Sequence, residues 1–137
     1  MFGFESKTSK EIGNQAEKWA CDYLIQQGLS LVERNYQIKG GEIDLVMRDK
    51  KHLVFIEVRY RNNNRFGSAA ESVDFKKQAR LIKAASSYLL EKSSETHQAA
   101  RFDVISITPN QSASPSASES SFESQAELEW FKDAFQA

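Results

Sequence analysis

Between Ser9 and Gly28 the apolar residues recur at helical spacing. Ile12, Ala16, Trp19, Ala20, Tyr23 and Leu24 fall on one stripe, which predicts a first helix that stops at Gly28. The period then shortens. LSLVERNYQI (Leu29 to Ile38), GGEIDLVM (Gly40 to Met47) and LVFIEVRYR (Leu53 to Arg61) read as three successive strands. A loop around Asn62 to Gly67 leads to a second helix, expected to be capped near Ser72 and to turn Phe75, Ala79, Ile82, Ala85 and Leu89 inward. Phe102 to Ile107 gives a fourth strand. The order is αβββαβ, an α/β fold. Asn110 to Gln125 is Ser-rich and poor in large apolar residues, so it is expected to be a flexible insertion. The last segment, 126–137, carries Leu128, Trp130, Phe131 and Phe135, enough apolar area to dock as a short helix or strand. Trp130 and Phe131 are expected to be core anchors.

The second and third strands each set an acid inside an apolar run. Asp44 lies between Ile43 and Leu45, and Glu57 between Ile56 and Val58, where an unpaired charge is costly to desolvate. Side chains alternate across a pleat, and a one-residue slip turns a whole strand over. If Arg48 pairs with Leu53 around the loop Asp49-Lys50-Lys51-His52, then Met47 faces Val54, Leu45 faces Ile56 and Ile43 faces Val58 on a wholly apolar side. The other side then carries Glu42, Asp44 and Val46 against Arg59, Glu57 and Phe55, with Asp44 directly opposite Glu57. A slip by one residue spoils both sides.

Two carboxylates so placed repel each other unless a cation lies between them. A hard divalent ion such as Mg²⁺ (or Mn²⁺) binds through one or two carboxylates and keeps waters, leaving room for a phosphate oxygen and an attacking water. Arg59, two residues after Glu57, shares its side of the sheet. Acid, acid and cation on one surface suit phosphodiester chemistry. The competing reading is a partly buried ion pair of Glu57 with Arg59 or Arg61 that merely closes the sheet.

Several motifs in fixed order extend this pattern: GNQAEKWACDYL, GGEIDLV, VFIEVRYR, KKQARLIKAASSYL, RFDVISI and a terminal ELEWFKDAF. Together they resemble the YraN-type family of small, functionally uncharacterised bacterial proteins, from about Ile12 to the C-terminus with a break at the Ser-rich segment. That family is similar in plan to the restriction-endonuclease-like superfamily, which includes archaeal Holliday junction resolvases. The resemblance implies a restriction-endonuclease-like αβββαβ core with a mixed sheet flanked by helices. It also implies a Mg²⁺ site made by a strand Asp, an acid-x-Lys on the next strand and often a Glu from the first helix. Carried onto this chain, those roles fall on Asp44, Glu57, Arg59 and Glu17. Arg59 stands where the superfamily usually has Lys. A guanidinium stays protonated and acts as a flat phosphate clamp, not as a general base; Lys77 on the following helix is a candidate substitute cation.

Charge distribution adds a partner. From Arg48 to Lys83 there are ten Lys and Arg against four acids, whereas from Pro109 onward one Lys stands against five acids. A basic run beside an acid cluster, with Arg59, Arg61 and Lys77 as contacts, suits a nucleic-acid backbone, with DNA the expected partner; taken alone it is also what a solvated face looks like. The chain has 137 residues, 40% of them hydrophobic, which fits one domain. Cys21 is the single cysteine and reads as a packing residue, while His52 and His97 read as surface loop positions. No signal-peptide or membrane-length apolar run is seen, so a cytoplasmic location is expected. Three functions follow: a Mg²⁺-dependent nuclease acting on branched or damaged DNA, a non-catalytic nucleic-acid-binding or partner-binding module on the same fold, or a scaffold that recruits partners through its aromatic C-terminus.

Overall fold

The computed structural model describes residues 9–60, 73–92, 99–109 and 126–136. Its elements are α1 (Ser9–Gln26), β1 (Ser30–Ile38), β2 (Gly41–Asp49), β3 (His52–Tyr60), α2 (Phe75–Lys92), β4 (Ala99–Pro109) and β5 (Ala126–Phe135). Five strands form one mixed sheet in the order β1-β2-β3-β4-β5. All neighbours are antiparallel except β3 and β4, which run parallel with α2 between them in sequence. This is the α/β plan expected from the sequence, with β5 added at the edge. Arg61, Ser72, His97 and the Ser-rich stretch 110–125 lie outside the described residues.

Both helices form where the periodicity places them, and both have identifiable ends. Helix α1 closes in a Schellman motif: Gly28 adopts φ 106° and donates to Ile25 O at 3.0 Å, and Leu29 N donates to Leu24 O at 3.0 Å. At the start of α2 the cap is Asp74, whose Oδ1 accepts from Lys77 N at 2.9 Å. Gln78 ties the same turn down by donating its Nε2 to Val73 O at 2.8 Å.

The sheet is covered on both sides. Against α1, buried Ala16, Ala20, Cys21 and Leu24 pack on Leu45, Met47, Val54, Ile56, Ile105 and Ile107. Against α2, Leu81, Ala84, Ala85 and Tyr88 pack on Tyr36, Ile43, Val46, Phe55 and Phe102. The buried stripe of α2 is therefore rotated from the expected one. Ile82 and Leu89 are only flanking residues, Ala79 is exposed, and Phe75 is 87% exposed. Close approach to β2 sets that rotation: a Cβ on Gly41 would lie 2.6 Å from Arg80 O and 3.1 Å from Ala84 N. His52 is exposed but opens β3 rather than sitting in a loop.

The hairpin of β2 and β3 has the expected register, with Arg48 opposite Leu53, Met47 opposite Val54 and Leu45 opposite Ile56. Two details differ. Asp49 pairs with His52, so the loop shortens to Lys50-Lys51, with Lys50 at φ 56°. At the other end Ile43 does not face Val58: it packs under α2, while Val58 packs on the α1 side. The alternation of β2 turns over between Ile43 and Leu45, beside Asn35 of β1 with its φ of 52°.

Strand β5 carries the aromatic C-terminus onto the sheet. Trp130 packs on the α1 side, edge-on to Tyr23 with centroids 6.3 Å apart, and Phe131 packs with Val73 and Val104. The fully buried carboxylate of Asp103 fastens this strand: it accepts from Arg101 Nε at 3.0 Å, Trp130 Nε1 at 2.9 Å and the backbone N of Asp133 at 2.9 Å. Arg101 also reaches Asp49 at 3.0 Å, so the β2–β3 turn is tied to the same centre. Asp103→Ala strands the indole and the amide and leaves Arg101 with Asp49 alone, a change expected to cost about 3–5 kcal/mol. Urea unfolding should show that loss; a midpoint within experimental error of wild type would mean β5 is held by packing alone.

Candidate functional site

The site forms where β2 and β3 part. Their pairing ends at Leu45 and Ile56, one step before Asp44 would stand opposite Glu57. The next free amide, Val58 N, donates instead to Asp44 Oδ2 at 2.8 Å. Asp44 thus occupies the fork between the strands rather than a ladder position, and this places a carboxylate in a confined space with one backbone donor.

Its surroundings are acidic. Burial pushes the Asp44 carboxyl well above its ordinary 3.8, and the charge of Glu57 adds to the rise; the Val58 amide opposes it, while Glu17 and Glu42 raise it further. Glu17 reaches the same region from α1. Burial also raises its carboxyl above the ordinary value, opposed by a side-chain hydrogen bond with Asn35 and by Arg34, with Glu57 and Glu42 adding to the rise. Four acids from three elements therefore sense one another electrostatically. Asp44, Glu57 and Glu17, the acids singled out in the sequence, thus act on one another electrostatically, but the ladder does not extend to set Asp44 directly opposite Glu57.

Cations border the acids from α2. Lys77 Nζ lies 3.5 Å from Glu57 Oε2, with that glutamate side chain only 12% exposed. Arg80 lies 3.6 Å from Glu42 Oε1 at the rim. Arg59 follows Glu57 on the same side of β3, yet its Nε is buried without a hydrogen-bond partner among the described residues. Among the described residues the cation paired with Glu57 is Lys77 and not Arg59; the alternative partner, Arg61, lies outside the described residues. Glu42, Arg80 and Asn35 were missed. Glu42 carried a signal, two residues before Asp44, but nothing in one sequence brings Arg80 to it or gives Asn35 a positive φ.

The donor set is chemically suited to a hard cation, since it is made of carboxylates that destabilise one another. Asp44 and Glu57 would hold such an ion, with Glu17 as a further oxygen donor. Among the described residues no group of three His, Cys, Asp or Glu side chains is already gathered for a metal, and Lys77 occupies Glu57. The fit is that of a two-carboxylate site whose internal counter-ion must yield.

A carboxyl whose pKa is higher folded than unfolded binds its proton more tightly in the native state, so stability falls as pH rises from about 3.8 through the raised value. Asp44→Asn removes that cost and keeps an oxygen for Val58 N. In metal-free buffer near pH 8 its thermal midpoint should exceed wild type by a few degrees, the scale that ~1 kcal/mol produces in a chain of this size, and the gain should vanish near pH 4. A lower midpoint at pH 8 would mark Asp44 as a structural partner instead.

Sequence comparisons give the chain its relatives. Residues 16–107 match the uncharacterised protein family UPF0102. A UPF0102 protein of Nitrosococcus oceani is 44% identical over 128 residues, covering 93% of this chain and 94% of that protein. One from Vibrio cholerae is 53% identical over 100 residues, covering 72% and 82%, and one from Hahella chejuensis is 54% identical over 97, covering 71% and 77%. With residues 16–107 matched, and with GGEIDLV, VFIEVRYR, KKQARLIKAASSYL and RFDVISI lying inside them, the protein belongs to the UPF0102 family.

Proposed function

We propose that the protein is a metal-dependent nuclease whose reaction centre is the fork between β2 and β3. The observation that carries this reading is Asp44: a carboxylate held in a confined place beside Glu57, Glu17 and Glu42, with one backbone amide to offset the cost. Strongly perturbed acids with a definite charge partner concentrate at functional sites. Mg²⁺ or Mn²⁺ held by Asp44 and Glu57, with Glu17 alongside, would lower the pKa of a bound water and neutralise charge on a phosphate.

The chain's own groups divide the remaining work. Arg59 has a buried Nε–H with no acceptor among the described residues, and a guanidinium on this side of β3 can hold a non-bridging phosphate oxygen and stabilise developing negative charge. It cannot take a proton, because it does not deprotonate. Lys77, half-exposed, rests on Glu57 and is free to exchange that carboxylate for a phosphate when Glu57 engages a cation. Lys76, Arg80 and Lys83 continue the basic surface along α2. DNA is the substrate class this surface fits, through a salt-dependent backbone contact.

A second reading has its own support. Because Lys77 already satisfies Glu57, the protein can keep the fold and the basic surface as a non-catalytic nucleic-acid-binding module. The third, a scaffold recruiting through the aromatic C-terminus, is disfavoured because Trp130 and Phe131 are used in packing.

Cleavage assays with Mn²⁺ over duplex, single-stranded and branched DNA separate the first two. Cleavage by wild type should fall more than about a hundredfold in Asp44→Ala and Glu57→Ala, beyond the loss typical of outer-shell partners, and should persist in Arg59→Lys. No cleavage by wild type or Arg59→Lys, with binding intact, would leave the binding module. Binding itself should weaken with salt, and Lys77→Ala should lower the slope of log K against log salt by about 1. A slope near zero for wild type would reduce the basic run to a solvated face.

A further inference from the structure

The first turn of α2 combines three properties that the packing of the fold does not require together. Phe75, its first residue, is 87% exposed. That turn is fixed: Asp74 accepts from Lys77 N at 2.9 Å, and Gln78 bonds Val73 O at 2.8 Å and Asp74 O at 2.9 Å. Two residues beyond Phe75, Lys77 stands 3.5 Å from Glu57 of the acid fork. An aromatic ring is thus held outward on the same rigid turn that carries Lys77 to the candidate site. Phe offers no helix-propensity advantage at such a position, and buried Val73, not Phe75, supplies the packing that anchors the turn.

Charge decides what kind of partner this surface fits. Phe75 is followed by Lys76 and Lys77, then Arg80 and Lys83 on the next turns, all with exposed residues. A protein partner docking on an isolated ring would have to desolvate these cations. A nucleic-acid strand would not, because its phosphates meet the cations while its bases offer flat faces to the ring. Paired bases inside a duplex have no free face. Leu90, equally exposed at 86%, lies roughly 22 Å further along the helix axis and is not part of this surface.

We propose that Phe75 is a stacking platform for an unpaired base, so that the substrate class of the acid fork is nucleic acid with unpaired nucleotides next to the contacted phosphate. This rests on the nucleic-acid reading above and narrows it. Lys76, Lys77 and Arg80 hold the backbone while the ring selects against uninterrupted duplex.

The test uses the full chain in EDTA at low salt, with fluorescence anisotropy on a blunt duplex, a forked duplex with single-stranded arms and a single strand of the same sequence. Wild type should prefer the fork and the strand. Phe75→Ala should weaken both by about tenfold, within the range for loss of one stacked base, and leave the blunt duplex and the thermal midpoint unchanged. Phe75→Trp should restore binding. Equal affinity of wild type for all three forms, an equal loss on the blunt duplex, or no loss on the fork would each overturn the platform while leaving nucleic-acid binding in place. Failure of wild type to bind any form would remove the nucleic-acid reading and the platform with it, and is seen before any variant is made.

Discussion

The parting of β2 from β3 is the constraint on which the site depends. Antiparallel pairing satisfies both strands up to Leu45 and Ile56, and continued pairing would have buried the next backbone groups in the ladder. Instead the Asp44 carboxylate takes the Val58 amide. That single bond keeps the fork from leaving a buried donor unsatisfied, which would cost on the order of 1–3 kcal/mol. It also fixes the carboxylate where Glu57, Glu17 and Glu42 all act on it. Strand β3 can part from β2 because it remains paired along its whole length with β4, from His52 opposite Ala99 to Tyr60 opposite Ile107.

Two acids in one sheet, one fully buried and one half-buried, show opposite physics. Asp103, fully buried, is met by a guanidinium, an indole N–H and a backbone N–H. Its lone pairs are used and its charge is matched, so it serves the fold by closing β5 on β4. Asp44 has one amide and three acidic neighbours. The rest of the structure, including the two layers of apolar packing on either side of the sheet, offsets that cost. Where local chemistry opposes stability while the surrounding fold enforces it, a functional demand is the physical explanation of choice.

Much of the fold was legible because periodicity and register are local properties. The stripe ending at Gly28, the three strands and the apolar side carrying Leu45, Met47, Val54 and Ile56 follow from spacing and the pleat. The errors arose where tertiary contact overrides spacing. Phe75 and Ala79 fit an inward stripe by count, but Gly41 lets the backbone of α2 approach β2 at Arg80 and Ala84, and that contact selects Leu81, Ala84 and Tyr88 instead. Ile43 was assigned by alternation, yet the strand turns over at Asp44 beside the positive φ of Asn35. The electrostatic coupling of Asp44 with Glu57 was foreshadowed because both acids interrupt apolar runs. Lys77 as the partner of Glu57 was not, because the distance between them is set by how a helix crosses the sheet.

That crossing also explains how the site accommodates Arg59. The guanidinium is permanently charged, so in the proposed nuclease any proton exchange would fall to the carboxyls that burial and mutual repulsion have displaced upward, Asp44 and Glu17. Helix α2, drawn close by Gly41, brings Lys77 to Glu57 and Arg80 to Glu42 without pairing either to Asp44. The cations therefore neutralise the outer acids and leave the inner one poised. An arrangement that placed a cation directly on Asp44 would lower its pKa and relieve the strain at the fork, and the chain, which has Arg34, Arg59, Lys77 and Arg80 around the cluster, makes no such ion pair among its described residues.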